Sequence, residues 1–303
     1  MITFGKFNLA DYADCVVVTD KTVSKLYNIE GENVCVLPVG ERSKTFATVQ
    51  KVCDFCLKRG LTRSVKIVTV GGGVVGDVAG FAASVYKRGV NLLHVPTTLL
   101  AQVDSAIGGK TAVNLGKVKN ACGTFYAADT LIDTDFLRTL PPKQISNGFG
   151  EITKYRMISK QIDEAAGHGI DALIRSCVAF KDEICELDPT DTGKRRILNA
   201  GHTLGHALEL VYRLPHGYAV ANGLYHELKI TQKLGLCSDS YADRWRKIIS
   251  ESFPIVKITD EVLLLTLQDK KNPQSGNVCF VLPTDDGVKT VTLTKEDLQK
   301  IYA

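Results

Sequence analysis

The chain has 303 residues, 45% of them apolar and 23% charged. That balance predicts a soluble globular protein and excludes a disordered tail, a collagen or a coiled-coil rod. At about 150 residues per domain the length predicts one large domain or two ordinary ones, able to bury about three quarters of the unfolded surface without disulfide or metal staples. The 37 Lys and Arg exceed the 33 Asp and Glu by only 4. That excess is too small for a nucleic-acid footprint, but it suits a small anionic substrate.

Nine cysteines, an odd number, are scattered from Cys15 to Cys279. They form no disulfide framework, so a reducing compartment is expected. Cys53 and Cys56 are the one close pair. They fall within a helical stretch and have no second CxxC, so they read as buried helix-face thiols rather than zinc ligands. Asp11 and Asp14 interrupt the N-terminal segment, which therefore has no signal-peptide pattern. Asp77, Lys87 and Asp104 break the most apolar windows before they reach the ~18 residues of a membrane helix. The expected location is the cytoplasm.

In chain order, short β-branched runs occur at Cys15–Thr19, Val34–Leu37, Val65–Val70, Leu92–Val95 and Thr130–Ile132. Runs this apolar suit a sheet buried on both faces. Between the second and third, Lys44–Arg59 carries Phe46, Val49, Val52, Cys53, Cys56 and Leu57 at helical spacing, with Gly60 as a C-cap. Strands alternating with helices predict an α/β region with a largely parallel sheet. Pro141–Pro142 punctuates the chain. Beyond it the pattern predicts helices over Gln144–Ile158, Asp171–Leu187, Lys194–Tyr212 and Tyr218–Leu234. Val278–Leu282 is the only later stretch read as a strand. The expected organisation is two domains, residues 1–140 and 141–303, with the cleft between them as the default ligand site.

Two patterns carry chemistry. The strand ending at Val70 runs into Gly71-Gly72-Gly73-Val74-Val75-Gly76-Asp77. Glycines between a strand and a helix let backbone N–H groups approach a phosphate, so this turn reads as nucleotide-binding or as a tight structural turn. Gly108-Gly109-Lys110-Thr111 resembles the tail of a P-loop. Its spacing fails because Asp104 stands where the first glycine belongs, which argues against ATP.

The second pattern is histidine. The chain has six, and His202, His206 and His216 fall within fifteen residues. His202 and His206, four apart on a helix, face the same way. They read either as hydrogen-bonded core histidines or as metal ligands, and His216 in a Pro-His-Gly turn favours metal. Thr203 replaces the general-base Glu of a metalloprotease helix, so the carboxylate ligand must come from elsewhere. Glu151 is the candidate, because it sits in an apolar helical segment where burial would leave it unpaired. Lys110, Lys119, Lys154, Arg195 and the Lys270–Lys271 pair suggest a strongly anionic substrate such as a phosphorylated sugar acid.

The stretch GGGVVGDVAGFAASVYKRGVNLLHVPTTLLAQVDSAIGGKTAVN, followed by GKVKNACGTFY, GEITKY and RRILNAGHTLGH, resembles the 3-dehydroquinate synthase family. The resemblance runs from about Val36 to Leu282. It implies a dehydroquinate synthase-like fold, an NAD-binding α/β domain with a Rossmann-like parallel sheet and a mainly helical metal- and substrate-binding domain. It also implies conversion of 3-deoxy-D-arabino-heptulosonate 7-phosphate to 3-dehydroquinate and phosphate in the shikimate pathway. Catalytic NAD and a divalent metal, zinc or cobalt, would oxidise an alcohol, permit phosphate elimination and restore the alcohol before ring opening and an aldol closure.

Carried over by matching position, the metal ligands would be Glu151, His202 and His216, which moves His206 to a substrate contact. Asp104, Lys110, Lys119, Asn120, Lys154, Lys181, Arg195, Asn199, His206 and one of Lys270 and Lys271 match the substrate pocket. Lys110, Asn120 and His206 match phosphate contacts, and Arg195 and Lys181 match carboxylate contacts. Glu41 and Lys44 match ribose contacts of NAD, and Gly72, Gly73 and Asp77 match the pyrophosphate turn. Thr97, Thr98, Lys119, Phe136, Leu137, Arg138 and Thr139 match its remaining contacts, with Asp20 near the adenine. Arg88 matches an arginine that reaches the neighbouring subunit, which implies a homodimer.

Three departures stand out. The N-terminus and the stretch from Lys160 to Ile174 are shorter than the family pattern, and Tyr218 stands where that pattern puts Glu after His-Gly. Related cyclases acting on sedoheptulose 7-phosphate or glucose 6-phosphate, metal-dependent polyol dehydrogenases and a catalytically dead NAD-binding protein are the alternatives. The retained Arg195 and Asn199 favour a substrate with a carboxylate, and the intact metal ligands and pocket lysines argue against a dead enzyme.

Overall fold

A computed structural model describes residues 1–116, 118–268 and 277–302. Lys270 and Lys271 lie outside the described residues. The chain divides into two compact units, Met1–Pro141 with Lys181–Thr190, and Pro142–Phe180 with Asp191–Ala303.

The first unit holds strands β1 (Ile2–Phe4), β2 (Val16–Asp20), β3 (Val34–Leu37), β4 (Lys66–Gly71), β5 (Asn91–Pro96), β6 (Lys110–Leu115), β7 (Val118–Phe125) and β8 (Asp129–Ile132). Its helices are α1 (Lys21–Tyr27), α2 (Phe46–Lys58) and α3 (Gly73–Val85). Six strands form one parallel sheet in the order β1-β8-β5-β4-β2-β3. The apolar runs explain the layering. Val16 and Val18 of β2 pack with Val49, Val52, Val75 and Val78 of α2 and α3. Val17 faces the other way, into a cluster with Val68, Val70, Val95 and Phe136. Strand order reverses between β2 and β4, so the carboxyl ends there form the switch point where such sheets bind ligands. The glycine turn follows β4 at this edge.

β6 and β7 form a separate antiparallel hairpin, which the sequence reading did not predict as strands. β7 is largely exposed and mixes Lys, Asn and Gly among few apolar residues, so it lacks a buried-strand signature. α2 carries Cys53 and buried Cys56, and burial pushes the Cys56 thiol up to about 12, as suits an inert core thiol.

The second unit holds α4 (Pro142–Ile158), α5 (Lys160–Ala165), most of α6 (Ile170–Leu187), α7 (His202–Tyr212), α8 (His216–Lys233), α9 (Asp239–Ser252), α10 (Asp260–Leu267) and α11 (Lys295–Tyr302). β9 (Asn277–Thr284) and β10 (Gly287–Thr294) add an antiparallel hairpin. The single strand expected near the C-terminus is thus half of a pair, because Val288, Val291 and Leu293 escaped the reading. The single helix expected over Lys194–Tyr212 is broken. A 3-10 turn covers Lys194–Asn199, Gly201 takes φ +76, and α7 starts at His202.

α8 lies against α4 and α7 at backbone distance. A Cβ on Gly150 would fall on the Gly217 carbonyl, one on Gly217 on the Asn147 carbonyl, and one on Gly223 on the Gly201 carbonyl. Gly223→Ala is therefore expected to cost at least about 1–3 kcal/mol in urea unfolding, since backbone cannot yield as a flexible side chain does. Wild-type stability would contradict the seam.

His94 gives the first unit a pH dependence. It is fully buried in β5, with Thr69 Oγ1 2.8 Å from Nδ1, and burial lowers it to about 4. The folded state holds the neutral ring while the unfolded chain protonates near 6.5. Stability contributed above pH 6.5 is therefore lost as pH falls toward 4, by about 3 kcal/mol at the limit. Denaturation between pH 7 and 4.5 should show a steeper loss in the wild type than in His94→Asn. Equal slopes would refute the assignment.

Candidate active site

In the first unit, the glycine turn joins β4 to α3 with Gly72 as N-cap and no side chain capping the helix. Uncapped N–H groups at a helix start attract an anion. The turn is tightly walled: a Cβ on Gly72 would lie 3.1 Å from Thr98 Cγ2, and one on Gly73 3.0 Å from Ser105 Oγ. Thr97 N–H donates to the Gly71 carbonyl at 3.0 Å, and Thr98 Oγ1 accepts from Ala101 N–H. Among the described residues Ser105 Oγ is buried without a hydrogen-bond partner, beside a small cavity lined by Gly71, Gly72, Gly73 and His94. An orphaned hydroxyl and uncapped amides in a glycine-walled recess fit a bound phosphate-bearing nucleotide.

Beside the turn, Lys44 Nζ lies 2.5 Å from Asp77 Oδ2 and donates to Asn120 Oδ1 at 2.5 Å. Asn114 donates to Glu41 Oε1 at 2.9 Å and accepts from Asn120 N–H at 2.9 Å. Glu41, Lys44, Asp77 and Asn120 therefore belong to one network. Asn114, which the sequence reading assigned no role, ties its parts together across a hairpin that the reading missed. Burial pushes the Asp77 carboxyl up, and Lys44 pulls against it. Asp20 caps α1, accepting from Thr22 and Val23 N–H at 2.7 and 3.1 Å. In the 3-10 turn of Phe136, Leu137, Arg138 and Thr139, Phe136 is in the core and its carbonyl accepts from Tyr27 Oη.

Asp104 lies in a π-turn, Ala101–Ser105, where its Oδ1 meets Lys181 Nζ at 2.7 Å. Lys110 and Lys119 are exposed on the β6–β7 hairpin. Arg88, at φ +65, closes the turn after α3.

The second unit gathers the proposed ligands. Glu151 on α4, His202 at the start of α7 and His216 at the start of α8 offer one ligand atom each, all within 4.8 Å of one another. His206 is not in this group; its ring stands 5.5 Å from that of His202. Glu151 is fully buried, with Oε1 3.1 Å from His216 Nε2 and 3.5 Å from His202 Nε2. Its other oxygen pairs with Lys154, itself buried.

Both imidazoles are held from behind. His202 Nδ1 donates to the Ala200 carbonyl at 3.1 Å, and His216 Nδ1 donates to Glu209 Oε2 at 3.1 Å. Each bond occupies Nδ1 and turns Nε2 toward Glu151 Oε1, the usual support of metal-ligating histidines. Burial alone would lower His216, but hydrogen bonds to Glu151 and Glu209 outweigh it and raise the ring to about 10. The cluster attracts positive charge, and two imidazoles with one carboxylate are a zinc donor set.

Glu209 was not found from sequence, because its seven-residue separation from His216 spans a helix end and a turn. Tyr218 stacks edge-on against Phe253 at 5.3 Å in an apolar cluster. Arg195 is buried in the 3-10 turn before α7, and Asn199 ends that turn, half-buried.

Solved structures give the class. The chain superposes with a TM-score of 0.86 on 2-deoxy-scyllo-inosose synthase complexed with carbaglucose-6-phosphate, NAD+ and Co2+ (26% identity, 99% of this chain and 95% of that one). The same score is found with 2-epi-5-epi-valiolone synthase from Streptomyces hygroscopicus, solved with NAD+ and Zn2+ bound (26% identity, the same coverage). The fold is that of these sugar-phosphate cyclases.

Within that class the family is narrower. The profile of the 3-dehydroquinate synthase N-terminal region matches residues 34–147, and that of the C-terminal region matches residues 148–272. The 3-dehydroquinate synthase of Alkaliphilus metalliredigens is 38% identical over 98% of this chain and 91% of its own length. The chain belongs to the 3-dehydroquinate synthase family.

Lys44→Met should strand the Asp77 carboxylate beside a missing cation, at a cost of about 2–3 kcal/mol. Adding Asp77→Leu should recover part of it. A double-mutant cycle in urea with no coupling between the two positions would rule out the pair as a structural support.

Proposed function

We propose that the chain is a phosphate-eliminating lyase that converts 3-deoxy-D-arabino-heptulosonate 7-phosphate to 3-dehydroquinate and phosphate, the shikimate-pathway step toward aromatic amino acids. The observation that carries this reading is the buried Glu151–His202–His216 cluster in a chain of this family. Glu151, His202 and His216 hold a divalent metal, zinc or cobalt, which supplies Lewis acidity toward a substrate hydroxyl when bound. NAD supplies the hydride acceptor and donor, and is regenerated each turnover. It is held by Gly72, Gly73 and Asp77 at the turn, by Glu41 and Lys44, by Thr97, Thr98 and Lys119, and by residues 136–139, with Asp20 near the adenine. NAD thus belongs to residues 1–140, and the metal to residues 141–303.

The chain's own groups then orient the substrate. Lys110, Asn120 and His206 bind its phosphate, and Arg195 and Lys181 bind its carboxylate. Lys154 and Asn199 contact the substrate hydroxyls. Asp104 stays next to the Lys181 ammonium, where it fixes that side chain for the anion. Asn120 shares its amide with Lys44, so it also couples the phosphate site to the nucleotide network. The working enzyme is a homodimer in which Arg88 reaches the neighbouring site, and it acts in the cytoplasm. Among the described residues no helix is long and apolar enough to cross a membrane.

The related cyclases are the second reading, favoured by the shared fold. The greater identity to curated dehydroquinate synthases, 38% against 26%, and the retained Arg195 weigh against them. Purified protein given the heptulosonate phosphate, NAD+ and Zn2+ should release phosphate with no net NADH. Accumulating NADH would point to a dehydrogenase, and turnover of sedoheptulose 7-phosphate alone would point to another cyclase. Glu151→Ala and His202→Ala should each lose the metal by elemental analysis. Full retention would sink the ligand assignment. Sedimentation at the mass of one chain would sink the homodimer.

A further inference from the structure

Glu227 is fully buried in the middle of α8. No Lys, Arg or His pairs with it among the described residues. Its side chain instead reaches the start of α7. Oε2 accepts from Gly201 N–H at 2.7 Å, and Oε1 accepts from Leu204 N–H at 3.5 Å. Gly201 is the N-cap of α7 and has no side chain to cap the helix, so Glu227 does so from across the seam. The close approach of Gly223 to the Gly201 carbonyl brings α8 near enough for this.

The Gly201 N–H belongs to the same peptide group as the Ala200 carbonyl. That carbonyl accepts from His202 Nδ1 at 3.1 Å. One peptide plane therefore receives a carboxyl at its N–H end and supports the His202 ring at its C=O end. A hydrogen bond at one end of an amide polarises the other and fixes the plane. Burying a carboxyl with no cation is costly, and a Cβ at Gly201 would lie 2.6 Å from Leu224 Cγ, so the cap cannot come from that position itself.

We propose that Glu227 is a positioning residue for the metal, acting on His202 through the Ala200–Gly201 peptide. It sets the direction of that ring and strengthens the carbonyl that holds its tautomer, so that Nε2 is presented to the cation. The inference rests on Glu151, His202 and His216 being the metal ligands.

The test is titration of metal-stripped protein with Zn2+, and with Co2+ read by its visible bands. Glu227→Met removes both acceptors and should weaken Zn2+ binding by about 10-fold or more, as loss of groups supporting a metal ligand does. The Co2+ bands should shift in position or intensity. Glu227→Gln keeps one acceptor and should fall between the two. A folded Glu227→Met protein with wild-type Zn2+ affinity and wild-type Co2+ bands overturns the proposal, even if its melting temperature drops, because that is what a merely structural cap would give. Should the Met variant not fold, Glu227→Gln is read in the same way: weakened Zn2+ binding with altered bands supports the proposal, and wild-type values overturn it. Failure of the wild-type protein to take up one Zn2+ overturns the metal-site reading as well, whereas normal wild-type uptake with an unchanged variant overturns this proposal alone.

Discussion

The close approach of α8 to α4 and α7 is the constraint on which the site depends. Glu151, His202 and His216 come from three different helices, yet their ligand atoms lie within 4.8 Å of one another. Helices packed through ordinary side chains stand about 8–10 Å apart. Here Gly150 meets Gly217, and Gly201 meets Gly223, so backbone rests on backbone at both seams. Each ligand is next to one of these glycines: Glu151 follows Gly150, His202 follows Gly201, and His216 precedes Gly217. The residues that allow the contact and the residues that use it are adjacent in sequence. A side chain at any seam position would collide with the facing helix right beside one of these three residues.

Electrostatics then decides what that close approach can hold. Glu151 is wholly removed from water, a state that an unpaired carboxylate would avoid by taking up a proton. Lys154 takes one of its oxygens, and two imidazoles flank the other. Glu209 stands behind His216 and the Ala200 carbonyl behind His202, so both rings turn the same nitrogen inward. The first unit uses the same logic for an anion. Amides left uncapped at α3, a hydroxyl without a partner at Ser105 and the Lys44 ammonium beside Asp77 surround the glycine turn. One unit is prepared for a cation and the other for a phosphate, within a chain whose net charge of +4 reveals neither.

What the sequence made legible follows from how local each signal is. The buried parallel strands announced themselves, because β2, β4 and β5 are apolar on both faces and carry no competing pattern. The glycine turn was equally plain. The β6–β7 hairpin was not, since an exposed ribbon is stabilised by its partner strand and its packing on α3 rather than by its own apolar pattern. The break at Gly201 was hidden by good helical spacing on either side; the backbone shows it in the 3-10 turn before it and in its own positive φ. The i, i+4 spacing of His202 and His206 suggested a ligand pair. The structure instead gathers His202 with His216, on the next helix, and Glu151, and leaves His206 outside that group. Glu209 and Glu227 were out of reach for a related reason: each acts across a helix pair, and no periodicity within one helix encodes its partner.

Tyr218 shows how a departure from a family pattern is absorbed by packing. The resemblance puts a glutamate at that position, two residues after the third ligand. On α8, position 218 packs into the apolar group around Phe253 and Trp245. A carboxylate there would be desolvated among aromatic rings, whereas a tyrosine adds apolar contact area. His216 does not depend on that position for an anion, because Glu209 already holds its Nδ1 from the end of α7. The tyrosine therefore belongs to the α8–α9 core, while Glu209 holds the His216 ring. Orientation of the ligands is a property of the α4–α7–α8 seam, and the residue next to a ligand in sequence need not be the one that supports it in space.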